Sequence, residues 1–338
     1  MKRFNNLSIY RIIAALCVLQ FHVFYLTYAR AIPYEMLLSK GVQGLTALSG
    51  FLYSQKLIKD VKKFYLGSLI KLLIPAAVVL TFILLWDVVF MAATHNWDFI
   101  AAFTMHRAYG GRLITSVDNY YYLGYITICY LATPLLQRDD AWKWVAASGI
   151  IAIEVAVGFV LGPAMIATSY VIGYFVGKKL FKAYTDTEQK FSVPILLITT
   201  GVLVVSLGVY IVCINFPFGG NYFLDHLYNL TNNVMMTIFG TATFFFVAIA
   251  LKFLNKYNQP KLFKFTDKIS FPIYLLNQAF MCGGTDITRY VEPIWLQNIL
   301  IFVCTISAAI LIQIVCDMIM NAINNRKNKK TRNPASLI

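Results

Sequence analysis

Charged side chains are scarce in this sequence: they make up 13 % of its 338 residues, about half the share usual in a soluble globular domain. A body of this length built mainly for water is therefore excluded. Histidine is rarer still, with four residues. The six cysteines, Cys17, Cys129, Cys213, Cys282, Cys304 and Cys316, include no CxxC pair and fall mostly inside apolar stretches, so neither a disulfide framework nor a zinc site is expected. No P-loop, no GxGxxG ahead of a helix and no HExxH occurs, which leaves nucleotide hydrolysis, Rossmann-type binding and zinc proteolysis without motif support. The net charge of +14 does not point to nucleic acid, because the basic residues are distributed loop by loop instead of lying on one soluble module.

What is abundant is apolar. Hydrophobic residues make up 59 % of the chain and the mean hydropathy is +0.66. Ten apolar runs stand out, at 8–28, 39–57, 71–93, 119–137, 142–161, 163–180, 192–214, 234–254, 270–285 and 294–321. They predict an all-α integral membrane protein of about ten transmembrane helices. The ninth run, SFPIYLLNQAFMCGG, is short and contains Pro272, so it is read as tilted or re-entrant. The basic N-terminus followed by an apolar core resembles a signal peptide, but the run is too long and lacks a small-residue cleavage site, so it is read as retained. With the N-terminus inside, only Arg30, Lys40, Arg107, Arg112 and Arg289 fall in outer segments and Arg11 lies within a span. The other 23 of the 29 lysines and arginines lie on the inner side, which puts both termini in the cytoplasm.

The first run, SIYRIIAALCVLQFHVFYLTY, carries two ionisable side chains, Arg11 and His22. Eleven steps of a 3.6-residue helix return to nearly the same direction, so both lie on one face, about 16 Å apart along the axis. An ionisable group deep in a membrane helix costs about 3 kcal/mol on insertion scales and marks a functional site by default. Taken singly, Arg11 fits snorkelling to the interface and His22 fits a hydrogen bond to a neighbouring helix; the shared face favours one cavity lined at two depths. Glu154, alone in the fifth run, meets the same default, with cavity lining and support of a neighbouring helix as its two readings. GYFVG, Gly173–Gly177, is a GxxxG and is read as helix packing. The outer segments Asn96–Asn119, Asn215–Asn233 and Gly283–Pro293 carry glycine pairs and many aromatics. They are read as turn-rich caps, with Tyr109, Tyr120, Tyr121, Tyr222 and Tyr228 offering flat faces to sugar rings or forming an interfacial belt. His95 and His106 are read as polar surface, and Asp225-His226 as a possible acid-base pair.

YRIIAALCVLQFH resembles the opening of the acyltransferase 3 family of bacterial membrane acyltransferases, in which an arginine and a histidine are separated by ten mostly apolar residues. GLTALSGFLYSQKL, with Ser49, Gly50 and Phe51, is similar to the family's second helix. FYLGSLIKLLIP is similar to its third, with Lys71 basic and Gly67 and Ser68 where arginines are usual. YYLGYITICYLATPLL resembles the helix that usually opens on tryptophan, where Tyr121 stands here. SFPIYLLNQAF resembles a late helix with Asn277 at a histidine position. Ser8 stands where an acid often precedes the arginine.

The resemblance implies a transmembrane acyltransferase domain over 1–325, followed by a basic cytoplasmic tail over 326–338; some family members carry a fused extracytoplasmic domain, and none is expected here. It also implies transfer from acyl-coenzyme A, acetyl-coenzyme A first of all, to a hydroxyl of a cell-surface or lipid-linked saccharide at a bacterial plasma membrane, with a separate extracytoplasmic protein as a possible acyl-transfer partner. His22 and Arg11 are the catalytic candidates. His22 has the reference pKa suited to taking a hydroxyl proton. Arg11, Lys71 and Ser49 are the candidates for the coenzyme, since its phosphates favour a cationic mouth. Tyr121, Tyr122, Glu154 and Asn277 are candidates for the acceptor, and no metal is expected. A multi-span transporter or flippase, and a non-catalytic membrane sensor, stay open as alternatives.

Overall fold

The apolar runs leave little choice of local structure: in hydrocarbon every backbone N–H and C=O must be met within the segment, which favours helices. The computed structural model describes residues 4–27, 35–91, 121–161, 165–185, 193–215, 222–257, 261–282 and 286–332, and all regular elements among them are helical. The helices are α1 (Asn5–Thr27), α2 (Met36–Ser39), α3 (Gly41–Tyr53), α4 (Val61–Met91), α5 (Tyr121–Leu136), α6 (Trp142–Leu161), α7 (Ile166–Thr185), α8 (Val193–Asn215), α9 (Tyr222–Ala250), α10 (Lys261–Leu276) and α11 (Ile294–Arg332). Short 3-10 turns lie at Lys252–Lys256 and Ile287–Arg289. Five helices are long and apolar enough by themselves to cross a membrane: α1, α4, α8, α9 and α11. The expected segment 96–119, with His95, His106, Tyr109 and Tyr120 in or beside it, lies outside the described residues, as do the glycine pairs 110–111, 219–220 and 283–284.

Helix α3 sits at the centre. It packs on α1, α5, α7 and α9, and Phe51 on it is fully buried among Phe181, Phe244 and Phe245, with ring centroids 5.2, 5.6 and 5.9 Å away. Small residues permit this closeness. A Cβ on Gly50 would overlap the Tyr170 carbonyl oxygen, one on Gly173 the Ala47 carbonyl, and one on Gly177 would sit 2.8 Å from the Phe51 carbonyl oxygen. The GxxxG of α7 is thus a packing surface against α3. Ala47 opposite Gly173 and Phe51 opposite Gly177 means that α3 and α7 run parallel. At the periphery, α8 turns Leu197, Ile198, Val204 and Val205 outward, each about two-thirds exposed. A surface of that kind suits lipid and not water.

Two segments differ from the sequence reading. Residues 222–233, expected as loop, are the first turns of α9. Phe223, Leu227 and Leu230 recur at helical spacing and Asp225 complements the positive N-terminus, so the segment has every reason to coil. Asp225 and His226 are then successive helix residues, which do not face one another. The ninth run is helical from Lys261, nine residues before the expected start, and ends at Leu276. Beyond it the chain tightens into turns, with Ala279 N donating to Leu276 O at 3.0 Å and Met281 N to Gln278 O at 3.1 Å.

Candidate active site

Helices α1 and α10 run side by side in the same direction. The Arg11 guanidinium makes an ion pair with Asp267, and eleven residues further along both segments His22 Nδ1 lies 3.1 Å from Gln278 Nε2. The one-face spacing read on α1 is therefore matched by a polar pair on the neighbouring segment at each level. The N-terminus of α1 is held separately: Asn5 Nδ2 donates to the carbonyls of Leu254 at 2.8 Å and Tyr257 at 2.7 Å, and Asn6 Nδ2 to that of Ala248 at 2.7 Å. Since Asn6 meets Ala248 while Tyr10 packs on Phe244, with ring centroids 5.1 Å apart, α1 and α9 run antiparallel.

Between α1, α3, α4, α5 and α10 lies a cavity of about 500 Å³. Its exposed side is charged. Arg11, Lys56 and Lys71 face it with Asp267, three cations against one carboxylate, and Lys56 and Lys71 are exposed. Its far end is aromatic: Tyr122 and Tyr274, 6 % and 1 % exposed, pack with ring centroids 4.9 Å apart. Ser49 and Ser68 line the middle, and the Tyr53 hydroxyl lies 3.5 Å from Ser68 Oγ. Tyr122 shares the cavity lining with Ser49 and Arg11. A recess of about 210 Å³ adjoins the cavity and shares Lys71 and Phe271 with it. Lys268 in that recess is paired with Asp317 at 2.8 Å, so it adds no free cation to the mouth.

Of the residues singled out from sequence, Arg11, Ser49, Lys71 and Tyr122 meet in this cavity. Neither His22 nor its partner Gln278, four residues beyond the cavity-lining Tyr274, is among the residues that face the cavity. Glu154 lies elsewhere. Its two carboxylate oxygens accept from Ala167 N at 2.7 Å and Thr168 N at 2.6 Å, which caps the first turn of α7. The first-turn N–H groups of a helix have no partner of their own, and a carboxylate also suits the positive end of the helix dipole. Of the two readings of Glu154, these contacts match support of a neighbouring helix, and it does not line the cavity. Asn277 is fully buried, outside the cavity lining, and neither end of its amide has a hydrogen-bond partner among the described residues. Tyr121 opens α5, and its side chain lies outside the described residues.

Sequence reasoning passed over Asp267, Lys56 and Gln278. Asp267 had a signal: it is an acid at the edge of an apolar run in the segment of the chain that already resembled a functional helix. It supplies Arg11 with the carboxylate that Ser8 does not. Lys56 was counted only toward orientation, yet it stands at the mouth where Gly67 and Ser68 bring no charge; a Cβ on Gly67 meets nothing within 4 Å. Lys56 Nζ lies 4.8 Å from the centre of the Phe64 ring and 5.2 Å from that of Tyr53.

A family model described as an acyltransferase domain, acyltransferase 3, matches residues 4–317, nearly the whole chain. The chain belongs to the acyltransferase 3 family. Comparison with curated proteins and with solved structures returns no match. Membership makes the chain a membrane acyltransferase, and its apolar helices make it multi-pass.

Proposed function

We propose that this acyltransferase 3 protein is an O-acyltransferase of a bacterial plasma membrane, moving an acetyl group from acetyl-coenzyme A to a hydroxyl of a cell-surface or lipid-linked saccharide. One observation carries the reading: a cavity with Arg11, Lys56 and Lys71 at its mouth, built in part on the helix that bears His22. The phosphates of the donor sit against these cations, with Asp267 holding the Arg11 fork in place. The thioester arm runs inward past Ser49 toward Tyr122 and Tyr274.

An alcohol is a poor nucleophile near neutral pH and needs a base. The acceptor oxygen attacks the thioester carbonyl as its proton passes to His22 Nε2. The new C–O bond forms, the C–S bond breaks, and the imidazolium returns the proton to the leaving sulfur. Tyr121 and Asn277 contribute to the acceptor side. Ten crossings with both termini in the cytoplasm suit this chemistry, since the mouth then faces the donor. The parallel pairs α1 with α10 and α3 with α7, and the antiparallel pair α1 with α9, are the directions that ten alternating crossings require. An extracytoplasmic protein that accepts the acyl group is a compatible partner.

The test uses purified protein, radiolabelled acetyl-coenzyme A and a lipid-linked saccharide fraction extracted from bacterial membranes. His22→Ala is expected to lower acyl transfer by about a hundredfold or more while the protein stays folded. Lys56→Ala is expected to raise KM for the thioester several-fold, more at low salt than at high. Transfer that survives His22→Ala at full rate overturns the reading.

A further inference from the structure

A base on a membrane helix has to present a lone pair, and which imidazole nitrogen presents it is set by what the other nitrogen meets. His22 Nδ1 meets Gln278, at 3.1 Å. Nε2 takes no hydrogen bond among the described residues. The Phe21 ring, its centroid 4.9 Å from that of the imidazole at an angle of 63°, packs against the histidine ring without offering a polar atom. The ring is thus held at one nitrogen only. Gln278 itself is 8 % exposed, and its Oε1 is buried with no hydrogen-bond donor among the described residues.

The two ends of a primary amide have nearly the same shape, and a half-turn exchanges them. With the NH2 end toward Nδ1, the imidazole keeps its proton on Nε2 and has no lone pair there. With Oε1 toward Nδ1, the proton sits on Nδ1 and Nε2 is free to accept. The imidazolium formed on proton uptake carries N–H at both positions, so only the oxygen end suits it. A third group that orients a base through its far nitrogen is a general arrangement in nucleophilic and acid-base catalysis.

We propose that Gln278 is the positioning residue for His22, its side-chain oxygen accepting Nδ1–H so that Nε2 faces the acceptor hydroxyl as the base. This deepens the acyltransferase reading and rests on it for what the base does, but not for how the ring is held. Tertiary structure makes the pairing possible: the common direction of α1 and α10 that sets Asp267 beside Arg11 brings Gln278 level with His22.

The test has a spectroscopic arm and a kinetic arm, both on the full chain in detergent. Protein labelled with ¹⁵N-histidine, with the His22 signals assigned by their loss in His22→Ala, reports the tautomer directly. The wild type is expected to hold His22 as the Nδ1–H form. Gln278→Leu is expected to lose that preference, and Gln278→Glu, which keeps an acceptor in place, to retain it. With acetyl-coenzyme A and the same lipid-linked saccharide fraction, Gln278→Leu is expected to lose about a hundredfold or more in kcat with a small change in KM, and Gln278→Glu to recover most of it. His22 found as the Nε2–H form in all three proteins, or equal transfer by Gln278→Leu and wild type, overturns the proposal. If the tautomer follows Gln278 while transfer survives His22→Ala, the positioning stands and the functional reading falls.

Discussion

Glu154 shows how much a single side chain's meaning depends on what its oxygens touch. From sequence it is a carboxylate within an apolar run, and such a group invites a functional reading. In the fold both oxygens are taken up by the first turn of α7. Glu154→Ala removes the acceptors from two buried N–H groups and is expected to cost about 2 kcal/mol or more. In practice this means a melting temperature in detergent lower by several degrees, with acyl transfer per folded molecule unchanged. The opposite pattern, full stability with lost transfer, would return Glu154 to the acceptor site. Arg11 is the contrasting residue. Its partner Asp267 is 7 % exposed while Arg11 itself is about one-third exposed, so the pair is braced on its buried side and open on the other. A guanidinium held in that way has donors left for a phosphate.

At the scale of elements, the contact between α3 and α7 is the structural centre. Membrane helices gain little from burying apolar surface that lipid would cover equally well, so close backbone approach and packing must hold them together. Gly173→Leu is expected to separate the two helices and abolish the monodisperse folded species on size-exclusion chromatography. Gly67→Ala, where an added methyl meets open space, is expected to leave yield and elution unchanged. The GxxxG spacing already set Gly173 apart in the sequence, and the neighbouring helix supplies the reason. The break after Leu276 belongs to the same scale. It places Asn277 and Gln278 in tight turns beside α1, so that polar side chains at the end of an apolar helix point inward among helices, away from lipid.

At the scale of the whole molecule, the distribution of charge and the directions of the helices describe one arrangement. Lysines crowd the loops on the side where the cavity opens, and the mouth carries three of the chain's cations. If both termini lie in the cytoplasm, a single cysteine introduced by Lys143→Cys into a chain otherwise free of cysteine is expected to resist a membrane-impermeant maleimide in intact cells. It should label fully once the membrane is opened. Labelling from outside would reverse the orientation and move the donor to the wrong face.

The sequence by itself determined the helical class, the family and the shared face of Arg11 and His22, because composition and a period of 3.6 residues are properties of local chain. All ten apolar runs overlap helices of the structure. The tertiary structure alone decided that Arg11 is answered by Asp267, that Lys56 stands at the mouth, that Glu154 caps a helix, and that Gln278 meets His22. Arg11 with Asp267 and His22 with Gln278 each join residues 256 positions apart, and the Glu154 cap joins two different helices. Which helix lies against which is set by packing between whole faces, and no periodicity within one segment encodes it.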